Sequence, residues 1–223
     1  MGNVTPVLVV TGLKREGSVV SGEGVRIVAG GGSADRLARE LAALAPGAAG
    51  IISFGMAGAL DPALRLGDWV VGDCVTGAFE GPCDPRWVAA LMRALPRPHR
   101  GACYADGHLI ADPMRKRALH DRHSALAADM ESHLAARVAA DAGLPFAILR
   151  CVSDTADATL PPAIAASMKP GGGLALGAVL GSLVAHPGQL PALVHTVAGF
   201  NRAFRALGDG AREAGPRLGF DNR

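Results

Sequence analysis

The sequence predicts an α/β fold, a single domain with a mixed, largely parallel central sheet flanked by helices. Short runs rich in Val and Ile alternate with alanine-rich stretches, and most of the runs end at glycine or a small polar residue. Apolar residues make up 49% of the 223 residues, which is enough to build a core. Strands that alternate with helices form parallel sheets, and such sheets bind ligands at the carboxyl ends of their strands.

The first half of the chain carries four predicted strands and two predicted helices. The strands are 7–10, 25–29, 50–55 and 68–75, and the helices are 33–44 and one that begins at residue 84. Ser33 caps the first helix, in which leucines recur on one face. Asp84 caps the second, with Pro85 at its first position.

The second half continues the alternation and then becomes more apolar. We expect strands at 101–105 and 145–152 and helices at 114–123 and 129–142, the last ended by Gly143. One domain then covers residues 1–223, with 161–223 as an apolar helical extension at its C-terminal end. That extension serves as ordinary core, as a subunit interface, or as a cover for a lipid-like ligand or a membrane surface.

Charge and cysteine content exclude several classes of protein. The net charge is +2 and the arginines are scattered, whereas nucleic-acid binders carry a basic stripe. Four cysteines without a C-x-x-C pair indicate reduced thiols. No basic segment precedes an apolar stretch near residue 1, and the window 171–185 is too short and glycine-rich to span a bilayer. We therefore expect a cytoplasmic protein.

Common cofactor motifs do not occur in the sequence. It contains no G-x-G-x-x-G after a strand, no P-loop and no G-x-S-x-G nucleophile motif. His120 and His123 lie three residues apart without a third ligand at helical spacing, which is typical of a solvated helix face. The prediction is no metal and no organic cofactor.

Three segments carry the functional signal. They are residues 51–60 with 66–71, residues 128–132 (ADMES) and residues 149–154 (LRCVSD). In this order they resemble the nucleoside phosphorylase and nucleosidase superfamily, which includes methylthioadenosine/S-adenosylhomocysteine nucleosidase. The opening at residues 12–16 and the apolar tail are similar to its hopanoid-associated phosphorylase branch.

The resemblance implies roles for four residues. Asp154 matches the acid that protonates purine N7, and Ser153 would orient it. Glu131 matches the glutamate that accepts hydrogen bonds from two ribose hydroxyls, and Met130 matches a methionine on the ribose face. The alternatives are a turn cap for Ser153 and Asp154, a first-turn glutamate that complements a helix dipole, and a core methionine.

The glycine segment and the middle of the chain complete the implied substrate site. Met56, Ala57 and Gly58 would let the backbone approach the ligand, although a tight turn without ligand contact explains them equally. Leu109 and Ile110 align with a segment in which the family carries an aromatic residue that stacks on the base. Because this chain has leucine there, either no aromatic residue stacks on the base or Phe54 or Phe79 supplies the stacking.

The sequence leaves open whether the second substrate is water or phosphate. Hydrolytic members activate water with a glutamate near the end of the first strand, and Glu16 is the candidate here. Phosphorolytic members hold phosphate with an arginine and a Ser or Thr, where this chain has Ser53 and Met56. The residues slightly favour hydrolysis.

Phosphorolysis would need another anion site. A glycine run at a helix N-terminus can bind phosphate, or it can be a plain strand-to-helix turn. The phosphate candidates are Gly31, Gly32, Ser33 and Lys14.

The predicted function is cleavage of the N-glycosidic bond of an adenine nucleoside, with adenosylhopane in hopanoid biosynthesis as the candidate substrate. The alternative is a non-catalytic purine- or lipid-binding protein on the same scaffold. The expected partners are a purine nucleoside with a lipid-like 5′ group, other copies of the chain in a homo-oligomer, and a peripheral membrane contact.

Overall fold

A mixed eight-stranded sheet forms the centre of the protein, in a computed structural model that describes residues 4–20, 22–161 and 190–223. The strands are β1 Val7–Thr11, β2 Val25–Ala29, β3 Gly50–Ala59, β4 Trp69–Gly77, β5 Gly81–Pro82, β6 His99–Ala105, β7 Ala125–Asp129 and β8 Phe146–Asp154. The helices are α1 Lys14–Gly17, α2 Ala34–Leu44, α3 Pro85–Ala94, α4 Pro113–His123, α5 Ser132–Asp141 and α6 Leu190–Ala214. This arrangement confirms the predicted α/β class.

The sheet is largely parallel and closes partly on itself. Its order is β2-β1-β3-β7-β6-β4-β5, and β8 pairs with both β3 and β4. Five of the pairings are parallel, and the β3–β7, β4–β8 and β4–β5 pairings are antiparallel. Strands β3, β8, β4, β6 and β7 therefore form a ring, and the carboxyl ends of β3, β7 and β8 meet on one side of it.

Two expected boundaries were wrong. Asp129, predicted as the first residue of a helix, is instead the last residue of β7. The pairing of β7 with β6 overrides the helix propensity of the alanines in β7. The expected glycine turn at 55–58 is instead the second half of β3. That half pairs with β8 as far as a bulge between Ala57 and Gly58, where Gly58 comes opposite Asp154.

Helix α6 packs against the central sheet and joins the main core. It contacts β8 and β3, and its buried residues Ala203, Leu207 and Ala211 join the main core. The chain after it is tied to α3, since the indole N–H of Trp87 donates to the carbonyl oxygen of Leu218 at 2.7 Å. Residues 162–189, with the apolar window, lie outside the described residues. Among the helices described, none is long and apolar enough to cross a membrane.

Candidate active site

A cavity of about 340 Å³ opens where the carboxyl ends of β3, β7 and β8 meet. Helices α1, α4 and α6 and the segments between the elements contribute to its wall. Its lining residues are Gly12, Leu13, Arg15, Glu16, Gly32, Met56, Ala57, Gly58, Leu60, His108, Leu109, Ile110, Lys116, Ala128, Asp129, Met130, Glu131, Ser153, Asp154, Leu160, Phe200, Asn201 and Phe204. A cavity of this size can hold a small ligand such as a nucleoside.

Glu16 is held at the end of the first strand by backbone donors. One carboxylate oxygen accepts the N–H of Met56 at 2.9 Å, and the other accepts the N–H of Leu13 at 2.7 Å. Burial raises the pKa of Glu16, although these two N–H groups and the charge of Arg150 act in the opposite direction. A carboxylate with a raised pKa is a stronger base, which suits it to accept a proton from water.

Glu131 lies at the start of α5 and is only partly exposed. Burial is the largest cause that raises the pKa of Glu131 to about 8, and the negative charge of Asp129 is the second. The positive charge of Arg150 acts in the opposite direction. A pKa in this range favours the protonated form of Glu131 at pH 7.

The segment before α5 is shaped by Asp129. One oxygen of its carboxylate accepts the N–H groups of Glu131 and Ser132 at 2.9 and 2.7 Å, and the other accepts the Ser132 hydroxyl at 2.6 Å. This carboxylate therefore fixes the backbone that presents Glu131 to the cavity.

Asp154 ends β8 and is bound on both carboxylate oxygens. The Ser153 hydroxyl donates to one at 2.9 Å, and the buried ammonium of Lys116 donates to the other at 2.5 Å. Gly58 stands opposite in the sheet, and a Cβ there would lie 2.9 Å from the Asp154 oxygen. Only glycine leaves room for this carboxylate beside the strand.

Beneath the cavity floor, Arg150 neutralises part of the negative charge. Its side chain is 1% exposed, lies 3.0 Å from the Asp129 carboxylate, and donates to the hydroxyls of Ser53 and Ser132. Four carboxyl groups thus line the site, with Arg15 and Lys116 on its wall and Arg150 buried beneath it.

Most of the residues predicted from the sequence meet in this cavity. Those that line it are Asp154, Glu16, Glu131, Met130, Ser153, Met56, Ala57, Gly58, Leu109, Ile110 and Gly32. The other phosphate candidates, Gly31, Ser33 and Lys14, are described residues that do not line it.

The aromatic candidates for base stacking were wrong. Phe54 is fully buried in the core, and Phe79 packs beneath Arg137, so neither reaches the cavity. The aromatic side chains that line the cavity are Phe200 and Phe204 of α6. Both residues fall in the stretch 161–223 that was predicted as an apolar helical extension.

Three charged residues of the site were missed. Asp129 and Arg150 lie inside two of the quoted segments, so those segments carried a signal for them. Lys116 had none, because it lies in a charged stretch typical of an exposed helix. Among the residues of the described ranges, no three His, Cys, Asp or Glu side chains are placed to hold a metal ion.

Comparison with known families gives a direct match. The family model of the phosphorylase superfamily matches residues 1–168. The chain belongs to the phosphorylase superfamily. A comparison with curated proteins found no matching sequence.

Solved structures with the same fold include nucleosidases of this superfamily. S-adenosylhomocysteine nucleosidase from Streptococcus pyogenes, in complex with 5-methylthiotubericidin, has a TM-score of 0.65 at 19% identity, covering 96% of this chain and 98% of that chain. Futalosine hydrolase of Helicobacter pylori has a TM-score of 0.66 at 14% identity, covering 94% and 97%. The Streptococcus pneumoniae methylthioadenosine/S-adenosylhomocysteine nucleosidase, with the transition-state inhibitor MT-ImmA, has 0.63 at 16%, covering 96% and 99%. At these identities the likeness establishes the fold.

Proposed function

We propose that this superfamily member hydrolyses the N-glycosidic bond of an adenine nucleoside. The observation that carries the proposal is that the carboxyl groups of Glu16, Glu131 and Asp154 line one cavity of nucleoside size, although they come from distant parts of the sequence. Structures of the same fold include nucleosidases bound to nucleoside analogues and a futalosine hydrolase, which supports this substrate class.

Each carboxyl group has a distinct role in the proposed reaction. Cleavage places positive charge on the sugar and negative charge on the base. Asp154 delivers a proton to the base, so that adenine leaves as a neutral molecule. Glu131 accepts hydrogen bonds from two ribose hydroxyls. These donors and the cationic sugar both favour ionised Glu131, so substrate binding lowers its pKa.

The nucleophile in this proposal is water. Glu16 is buried, its two oxygens are fixed by backbone donors, and its raised pKa suits a base. The cavity lining contains Gly32 but none of the other three phosphate candidates. This placement supports hydrolysis over phosphorolysis.

We also propose that the nucleoside carries a lipid-like 5′ group, as adenosylhopane does. Support comes from the apolar part of the cavity wall. Helix α6 contributes Phe200 and Phe204 to this wall, and Leu13, just before α1, contributes a third apolar side chain. Burial of an apolar substituent on such a wall stabilises the complex by about 25 cal/mol for each Å² removed from water. Homo-oligomer formation and a peripheral membrane contact stay predictions, which light scattering and vesicle sedimentation test.

The test is release of free adenine from adenosine, 5′-methylthioadenosine and an adenosine with a long 5′-alkyl chain. We expect release without phosphate, no acceleration by phosphate, and the highest kcat/KM for the alkyl substrate. Asp154→Asn and Glu16→Gln should each lower kcat at least 100-fold, whereas the exposed control Asp121→Asn should leave it unchanged. Release only with phosphate would establish phosphorolysis instead, and binding without release would establish a non-catalytic protein.

A further inference from the structure

We propose that Lys116 supplies, through Asp154, the proton that the departing adenine takes up, an inference that rests on the proposed function. Helix α4 is rich in charged residues, and Lys116 is its buried residue, with 0% of its surface exposed. A lysine is rarely buried completely unless its charge is paired. Its ammonium here reaches the wall of the cavity beside Asp154.

The amino group of Lys116 makes three hydrogen bonds. Nζ donates to the Asp154 carboxylate at 2.5 Å and to the carbonyl oxygens of Thr155 and Ala158 at 2.8 and 3.1 Å. Three acceptors match the three hydrogens of an ammonium group. Lys116 and Asp154 are thus placed as a buried ion pair.

This pairing changes the source of the proton. As a carboxylate, Asp154 accepts from Lys116 and from Ser153 and has no proton of its own to give. The nearest proton available to it is on the ammonium that already donates to it. Lys116 thus acts through Asp154 as a positioning and proton-supplying residue.

The proposed sequence of transfers balances. A proton moves from Nζ of Lys116 to Asp154, and the carboxyl group passes a proton to N7 as the C1′–N9 bond breaks and its electron pair stays with adenine. A water oxygen bonds to C1′ and its proton goes to Glu16. Glu16 then returns that proton to solvent and Lys116 takes one up, so the net reaction is nucleoside plus water to adenine and free sugar.

Substrate binding favours the first transfer. Asp154 keeps 8% of its side chain exposed and lines the cavity, so a bound nucleoside removes the remaining contact of the pair with water. The neutral amine and carboxylic acid then become more favourable relative to the ion pair.

Several other charged or titratable groups face the pair and enter any dependence on pH. The ones that line the same cavity are Arg15, Glu16, His108, Asp129 and Glu131, with Arg150 beneath the floor and Tyr104, Asp106 and Arg115 on the side of β6 and α4. Because these groups remain in a Lys116 variant, the ratio of the variant rate to the wild-type rate at each pH removes the titrations that the loss of Lys116 leaves unchanged.

The experiment compares Lys116→Met and Lys116→Arg with the exposed control Arg117→Met, whose residue lies on the same helix with 87% of its side chain exposed. Steady-state adenine release is measured from pH 6 to 8. We expect Lys116→Met to lower kcat at least 100-fold at pH 8 with KM within about threefold. Its kcat relative to wild type should rise as the pH falls, because Asp154 must then take its proton from solvent.

The arginine variant separates charge from proton supply. A guanidinium keeps the positive charge but does not give up its proton, so Lys116→Arg should be as slow as Lys116→Met. If Lys116→Met does not fold, as judged by thermal unfolding, Lys116→Gln carries the same expectation.

Three results would overturn the inference while the wild type releases adenine: a variant kcat within threefold of wild type, a rate ratio that does not change with pH, or an active arginine variant. Absence of adenine release by the wild type itself would overturn the proposed function, and this inference with it.

Discussion

Replacement of Glu131 by Gln should stabilise the empty protein, and increasingly so as the pH rises. Burial raises the folded-state pKa of Glu131 from the 4.5 of an exposed glutamate to about 8. Between these two values the folded protein holds a proton that the unfolded chain has lost, so the free energy of unfolding falls as the pH rises. Glutamine resembles the protonated acid in shape and does not titrate.

The expected magnitude follows from the size of the pKa difference. Each pH unit between the two pKa values is worth about 1.4 kcal/mol, so the advantage of Glu131→Gln is about 3 kcal/mol at pH 7 and approaches about 5 kcal/mol above pH 8. These values are upper limits, because water that enters the cavity screens the charge of the carboxylate. Near pH 4 the variant and the wild type should be equally stable.

The assay is urea denaturation of both proteins at pH 5, 6, 7 and 8, with Glu40→Gln as control. Glu40 is an exposed glutamate that pairs with Arg36 on α2, and its replacement should change stability by less than about 0.5 kcal/mol at every pH. A stability difference between Glu131→Gln and wild type that stays constant from pH 5 to 8 would refute the reasoning. The same variant should lose about 10- to 100-fold in kcat/KM, on the scale of a hydrogen bond to a charged group.

Two further substitutions test how the site is built. Gly58→Ala would place a Cβ 2.9 Å from a carboxylate oxygen of Asp154, so displacement of that carboxylate should lower kcat about 10- to 100-fold. Gly47→Ala is the control, because an added Cβ there meets nothing within 4 Å. Equal kcat values for the two variants would contradict the prediction. Arg150→Met leaves a buried carboxylate unpaired and should lower the free energy of unfolding by about 3–5 kcal/mol in urea titrations. Loss of the exposed Arg212–Asp209 pair in Arg212→Met should cost less than about 1 kcal/mol, and an equal loss in both variants would show that Arg150 is not paired as described.

Local patterns were sufficient for the fold class and for most elements. The β-branched run at β8 and the Asp-Pro start of α3 are signals that a few neighbouring residues contain. The alanine-rich strand β7 was missed because its conformation comes from its ladder with β6 rather than from its own composition. The same reason explains β3, whose last residues are a strand because β8 lies beside them.

The sequence by itself determined which residue types were available for chemistry. The segments around Glu131 and Asp154 indicated a superfamily and, through it, two carboxyl groups with separate tasks. Residue order also placed Asp154 at the end of a predicted strand, the edge at which parallel sheets bind ligands. Glu131 lay within a predicted helix, and its place at the same edge comes from β7, which the sequence did not indicate.

Only the tertiary structure decided the protonation states and the partners of those groups. Burial and neighbouring charge, which depend on distances in space, raise the pKa of Glu131 to about 8. Lys116, 38 residues from Asp154 along the chain, becomes its partner because α4 packs beside β7 with this one lysine turned inward. Charge interactions fall with distance in space and not with separation along the chain, and for that reason no pattern of neighbouring residues contains them.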